Sequence, residues 1–259
     1  MEILLTNDDG IDSVALLPTL KELSKVGNVN CVVPAKEQSW KGKSITRRVK
    51  KIEKKQIKIE KYDVITLDAL PADCANYGIY NLENKPDLVI SGANLGHNLG
   101  ISNFYSSGTI GAALEGHFSG IKSIAISVPY ESGEKLKAEG FENSLFGISE
   151  LCDKFYNNEN DDFRFCNLNI PYNLVTKKYI STKMPRYHYG QLFIDKNELV
   201  KPKRYEKLSY PKKHIYSENT DVGAINKKWV SINIFDDDLK PVGLNVLNNW
   251  IAKEKLGIL

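Results

Sequence analysis

The chain has 259 residues, 42% of them hydrophobic and 26% charged, with a formal net charge of +3. This is the balance of an ordinary soluble globular protein, long enough for a substantial core, and the charge is too small to argue for a nucleic-acid partner. No run approaches the roughly 20 apolar residues needed to span a bilayer, and the acidic amino terminus enters a strand directly, unlike a signal peptide. Cys31, Cys74, Cys152 and Cys166 are scattered without Cys-x-x-Cys spacing. They read as reduced thiols, mostly in the core, and the expected location is cytoplasmic.

Ile3-Leu4-Leu5 predicts a buried first strand, ending in Asn7-Asp8-Asp9-Gly10. Leu16, Leu17, Leu20 and Leu23 repeat at helical spacing, with Pro18 suited to the first turn. Asn28–Val33 is a short strand closed by Pro34, and a polar loop with Glu37, Ser39, Gly42 and Ser44 follows. Lysine-rich alternation from Arg48 to Leu67 predicts a solvated hairpin leading into a strand. A helix runs from Pro71 to about Leu82, and Asp87–Ser91 is the clearest central strand, entering a loop rich in glycine and asparagine. Gly108–Gly116 reads as a helix of small residues, Ser123–Val128 as a strand, and about Lys135 to Phe155 as one helix. The alternation predicts an α/β fold with a doubly wound, mostly parallel sheet. Residues 171–228, rich in Tyr, Lys and Pro, suit an extended arm or hairpin, before a strand at Trp229–Ile234 and a closing helix at Leu244–Lys255. The basic clusters at Arg47-Arg48, Lys50-Lys51, Lys54-Lys55 and Lys201 through Lys213 read as solvated faces, with attraction of an anionic substrate as the lesser alternative.

Adjacent carboxylates at the end of a buried strand repel each other, and burying them unpaired is costly, so a cation is expected to join them. The competing reading is a plain Asp-Asp-Gly turn. Two further loops fall on the same predicted sheet edge, the Ser39 loop and Asn94–Gly100, and together they offer carboxylates, a hydroxyl and carboxamides. Such oxygen donors suit a hard divalent ion and not zinc. Ser106-Ser107-Gly108-Thr109 opens a helix, where hydroxyls and free amides form either an anion site or an ordinary serine cap.

Taken together, these motifs resemble the SurE family of survival-protein nucleotidases. The resemblance rests on Asn7-Asp8-Asp9-Gly10, Val33–Ser39, Gly42–Thr46, Leu70–Cys74, Ser91–Gly100, Ser107-Gly108-Thr109, Ala112–Gly116 and Thr220-Asp221. It implies one domain over 1–259 that hydrolyses nucleoside 5′-, and by extension 3′-, monophosphates with a metal-activated water. One divalent ion, magnesium or manganese, would be held by Asp8, Asp9, Ser39 and Asn94, with Asp8 and Asp9 as the catalytic pair. Ser107, Gly108 and Thr109 would cradle the phosphate, supported by Asn7 and Asn98. It also implies a homodimer or homotetramer joined through an arm at 171–228, whose Tyr205, Tyr210 and Tyr216 would be buried between subunits. No membrane or stable nucleic-acid partner is expected.

The chain departs from the family pattern at several positions. Trp40 stands where glycine is usual after the metal-binding serine, a tryptophan donates its backbone N–H without strain only at negative φ, and its ring is read equally as stacking on a base or as covering the loop. Asp68-Ala69 precedes Leu70-Pro71 in place of the usual Gly-Thr. The stretch Ile101–Ser107 is one residue longer than usual before Gly108, so that Ser106 competes with Ser107 for the phosphate. A non-enzymatic nucleotide or anion sensor on the same fold is the alternative. His97, inside the asparagine loop, reads as solvent-facing, with general acid as the minority alternative.

Overall fold

The structure is a computed structural model that describes residues 1–131, 133–160, 162–196, 199–203, 211–212 and 215–256. The first strands and helices are β1 (Glu2–Thr6), α1 (Leu16–Leu23), β2 (Asn28–Pro34), β3 (Lys54–Ile59), β4 (Tyr62–Leu67), α2 (Pro71–Asn81) and β5 (Leu88–Leu95). The middle of the chain forms α3 (Gly100–Ser106), α4 (Gly108–Phe118), β6 (Lys122–Val128), α5 (Ala138–Leu145), α6 (Ile148–Tyr156) and β7 (Phe165–Asn169). The last elements are β8 (Tyr179–Ser181), β9 (Phe193–Lys196), β10 (Leu199–Pro202), α7 (Asp221–Asn226), β11 (Val230–Phe235) and α8 (Leu244–Lys253).

Nine strands form one sheet in the order β3-β4-β2-β1-β5-β6-β7-β11-β8. The pairs β2–β4, β1–β2, β1–β5, β5–β6, β6–β7 and β8–β11 are parallel, and β3–β4 and β7–β11 antiparallel. From β1 the chain winds outward to β2 on one side and later to β5 on the other. This reversal opens a crevice beyond the carboxyl ends of β1 and β5, where ligands bind in open α/β sheets.

Strand alternation places the core on both faces. Ile3 and Leu5 pack with Leu16 and Leu20 of α1, Phe141 of α5, Phe155 of α6 and Trp250 of α8. Leu4 points the other way, with Val32 and Val89, against Cys74 and Ile79 of α2. The edge strand β3 exposes Lys54, Lys55 and Lys58, charges that discourage pairing with another chain. All four cysteines are free and buried.

The structure differs from the sequence expectation in several places. The helix expected over 135–155 is two, because Gly147 takes φ 77° and breaks the run between α5 and α6. Residues expected in the glycine-rich loop form α3, and β7, with buried Asn167 and Asn169, lacks the apolar character of a central strand. Only part of 171–228 stands apart from the sheet. β8 extends the main sheet beside β11, α7 buries Val222, Ala224 and Ile225, and β9–β10 forms a separate hairpin with exposed Phe193 and Val200. Tyr216 packs against Tyr187 of the same chain at 5.5 Å, while Tyr205 and Tyr210 lie outside the described residues. No helix among the described residues is long and apolar enough to cross a membrane.

Candidate active site

The β1–β5 crevice receives the ends of three parallel strands. Asn7 builds the turn after β1: its Nδ2 donates to Gly10 O at 3.0 Å and its Oδ1 accepts Gly10 N–H at 3.0 Å. Both ends of the carboxamide are thus engaged in the turn, and the second N–H of Nδ2 is not used by these two bonds. The turn presents Asp8 and Asp9.

Asp8 reaches the start of α4. Thr109 Oγ1 donates to Asp8 Oδ1 at 2.6 Å, and the Thr109 amide also favours the carboxylate. Gly108 permits this approach, since a Cβ there would lie 2.8 Å from Asp8 Cβ and 3.1 Å from Gln38 O. Asp9 spans to β5, accepting Leu95 N–H at 2.8 Å. Burial drives both carboxyls well above the ordinary carboxylate range, and Asp8 raises Asp9 further. Among the described residues neither acid has an ion-pair partner.

A cleft of about 330 Å³ brings together Asp8, Ser39, Asn94, Asn98, Ser106 and Ser107, with Glu37 and Trp40 on the same wall system. Asp9, Gly108 and Thr109 stand behind this lining. Ser39 Oγ donates to Glu37 Oε1 at 2.7 Å, so Glu37 orients the hydroxyl. Ser107 is the cap of α4, its Oγ accepting Ile110 N–H at 3.1 Å, which leaves its own proton to point elsewhere. Ser106 donates back to Ser102 O at 3.0 Å and closes α3, so Ser107 occupies the helix-opening position that the extra residue had put in question. Trp40 takes φ 63°, the left-handed region in which a bulky residue is strained, contrary to the negative φ that strain-free donation requires.

The loop carrying Asn94 and Asn98 is held from behind by buried polar groups. Asn98 N–H donates to Asn169 Oδ1 at 3.0 Å, and its Nδ2 donates to Ser127 Oγ at 2.6 Å. Asn167 Nδ2 donates to Asn98 O at 3.1 Å. Asp221, fully buried at the start of α7, accepts Gly100 N–H at 2.7 Å and Val222 N–H at 2.6 Å. Sequence reasoning placed no role on Glu37, Asn169, Ser127 or Asp221. Glu37 and Asp221 did lie inside recognised motifs, and the strand asparagines carried no signal.

The donor chemistry fits a hard divalent cation. Two acids that have no ion-pair partner among the described residues, Asp8 buried and Asp9 half-buried, follow β1 near a hydroxyl and a carboxamide oxygen on the neighbouring loops. A bound cation would offset the like charge that raises them, Glu37 on Asp8 and both Asp8 and Glu37 on Asp9. Among the described residues no three His, Cys, Asp or Glu side chains converge on a metal, and this set contains only two acids. His97 lines the cleft, 6.0 Å from the Tyr187 ring.

Residues 3–191 match the family model described as survival protein SurE. The chain is 40% identical over 174 residues to a 5′-nucleotidase SurE of Pseudothermotoga lettingae, covering 66% of this chain and 64% of that relative, just under two thirds of its length. It is 31% identical to a 5′-nucleotidase SurE of Campylobacter hominis, with 96% of this chain and 98% of the relative aligned. The crystal structure of a SurE protein from Aquifex aeolicus superposes with a TM-score of 0.68 at 27% identity, covering 98% of this chain and 97% of that one.

Proposed function

The chain belongs to the survival protein SurE family, and we propose that it is a metal-dependent nucleotidase. It hydrolyses nucleoside 5′-monophosphates, and 3′-monophosphates as secondary substrates, to nucleoside and phosphate. The observation that carries this reading is the adjacent acid pair, Asp8 buried against the start of α4 and Asp9 half-buried against β5, with no cationic partner among the described residues. An acid pair facing an anion-binding helix end suits a phosphate bridged by a cation.

Asp8, Asp9, Ser39 Oγ and Asn94 Oδ1 would hold one magnesium or manganese ion, which when bound polarises the phosphoryl group and acidifies water. The remaining roles fall to the chain's own groups. Ser107 donates its hydroxyl proton to a phosphoryl oxygen, and the first amides of α4 lend positive dipole to the equatorial oxygens as charge develops there. Thr109 fixes the rotamer of Asp8, Leu95 N–H fixes Asp9, and Glu37 fixes Ser39, so the oxygen set is preorganised. Water attacks in line and the nucleoside oxygen leaves on the opposite side. Asp8 and Asp9 act as ligands here, not as phosphate acceptors, because both carboxylates are committed to the cation.

Four buried thiols suit a reducing cytoplasm, and the family resemblance supports a homodimer or homotetramer. The test is phosphate release from a panel of 5′- and 3′-nucleoside monophosphates with magnesium, with manganese and with chelator. Release with either metal and none with chelator is the expected result. Nucleotide binding without release under any condition would reject the enzyme in favour of a sensor.

A further inference from the structure

The cleft that holds Asp8 and Ser107 is also lined by Trp40, and this side chain has no part in the phosphate chemistry. Trp40 is 41% exposed, a large apolar ring left open to the cleft and solvent. Its backbone sits at φ 63°, so the loop carries a bulky residue where glycine would be relaxed. The ring is nevertheless braced. Tyr189 packs against it in an edge-to-face contact with centroids 4.7 Å apart and planes at 67°, and His188 in turn lies 4.3 Å from Tyr189. An edge-to-face contact occupies at most one indole face. The ring is a flat, apolar, partly exposed surface lining the same cleft as Ser107 at the start of α4.

A nucleoside monophosphate has the matching shape, with an anion at one end and a flat aromatic base at the other. Every base presents a π-face, so stacking selects for the presence of a base with little preference among bases. We propose that Trp40, braced by Tyr189, is the specificity-determining residue of the cleft. It stacks the base of the substrate and so selects nucleoside monophosphates over phosphomonoesters that lack a base. This inference rests on the nucleotidase reading and names the feature of the substrate that the cleft recognises.

The test compares kcat/KM for adenosine 5′-monophosphate with that for ribose 5-phosphate, in the wild type, in Trp40→Gly and in Tyr189→Leu. Glycine suits φ 63°, so the first variant removes the ring while keeping the loop conformation. The ratio is expected to fall about fivefold or more in Trp40→Gly, through KM for the nucleotide, and by a smaller factor in Tyr189→Leu. A second measurement is independent of turnover. Adenosine, which carries the base but no phosphate, should saturably quench wild-type tryptophan fluorescence, ribose should not, and the quench should be lost in Trp40→Phe. Where the two measurements disagree, the kinetic ratio decides. An unaltered ratio in enzyme that cleaves both esters overturns the platform and leaves the nucleotidase reading standing. A Trp40-dependent adenosine quench in protein that cleaves neither ester supports the platform and overturns the nucleotidase reading.

Discussion

Two acidic positions lie near the crevice, the Asp8–Asp9 pair with Asp8 buried and Asp9 half-buried, and the buried Asp221, and they are built differently. Asp221 accepts two backbone amides, from Gly100 and Val222, and no acid among the described residues raises it. Asp8 and Asp9 are side by side: burial raises both, the Asp8 charge raises Asp9 further, and Glu37 adds to each. Burial therefore does not distinguish a structural carboxylate from a functional one. What distinguishes them is the neighbouring charge: both positions accept hydrogen bonds from the protein, but Asp9 also meets the Asp8 and Glu37 carboxylates, and Asp8 meets Glu37.

Substitution should separate the two positions by kind of effect. The largest is expected for Asp8→Asn, which removes one anionic ligand and should lower kcat for a nucleoside monophosphate about 100-fold or more, with a folded protein by circular dichroism. Asp221→Ala should act mainly on stability. It leaves two buried amides without an acceptor, a loss of about 2–3 kcal/mol readable by urea unfolding.

The pH dependence of Asp221 sharpens the contrast. Burial pushes its carboxyl up to about 7, against the two amide bonds that favour the charged form. The folded state therefore keeps a proton that the unfolded chain releases near pH 4. This stabilising contribution is complete below about pH 4 and is lost as the pH rises through about 7. The urea midpoint of wild type should accordingly fall relative to that of Asp221→Asn between pH 5 and pH 8. A smaller effect is expected of Thr109→Val, which keeps the shape but deletes the donor to Asp8. Steady-state kinetics should show about a tenfold loss in kcat, the scale of a partner that orients a ligand.

The loops that carry the chemistry were legible because each follows an apolar strand run, at Ile3–Leu5, Asn28–Val33 and Asp87–Ser91. Parallel pairing of β1 with β2 and β5 then places all three loop starts on one edge, as the alternation of strands and helices implied. What supports the loops was not legible. Asn167 and Asn169 alternate with apolar residues in β7 and would ordinarily indicate an exposed face, yet both are fully buried and hold the Asn98 loop. Asp221 meets Gly100 across 121 positions of sequence, a separation at which no local pattern operates. The short helix α3 is hidden by its glycine, asparagine and serine content, which suits turns as well as a helix. At Asn7 the sequence did not reveal the turn bonds to Gly10, because a carboxamide serves equally in a turn or on a phosphate.

The central claim is that the acid pair is a seat for a cation, and thermal unfolding of wild type against Asp9→Asn tests it most directly. Asparagine retains an oxygen for Leu95 N–H and removes a carboxyl that folding at neutral pH must protonate or leave charged beside Asp8. In chelator at neutral pH the variant should therefore melt about 2–4 °C higher than wild type. Added manganese should raise the melting temperature of wild type and leave the variant unmoved, reversing the order. Wild type that is as stable as the variant in chelator and does not respond to manganese would contradict the account.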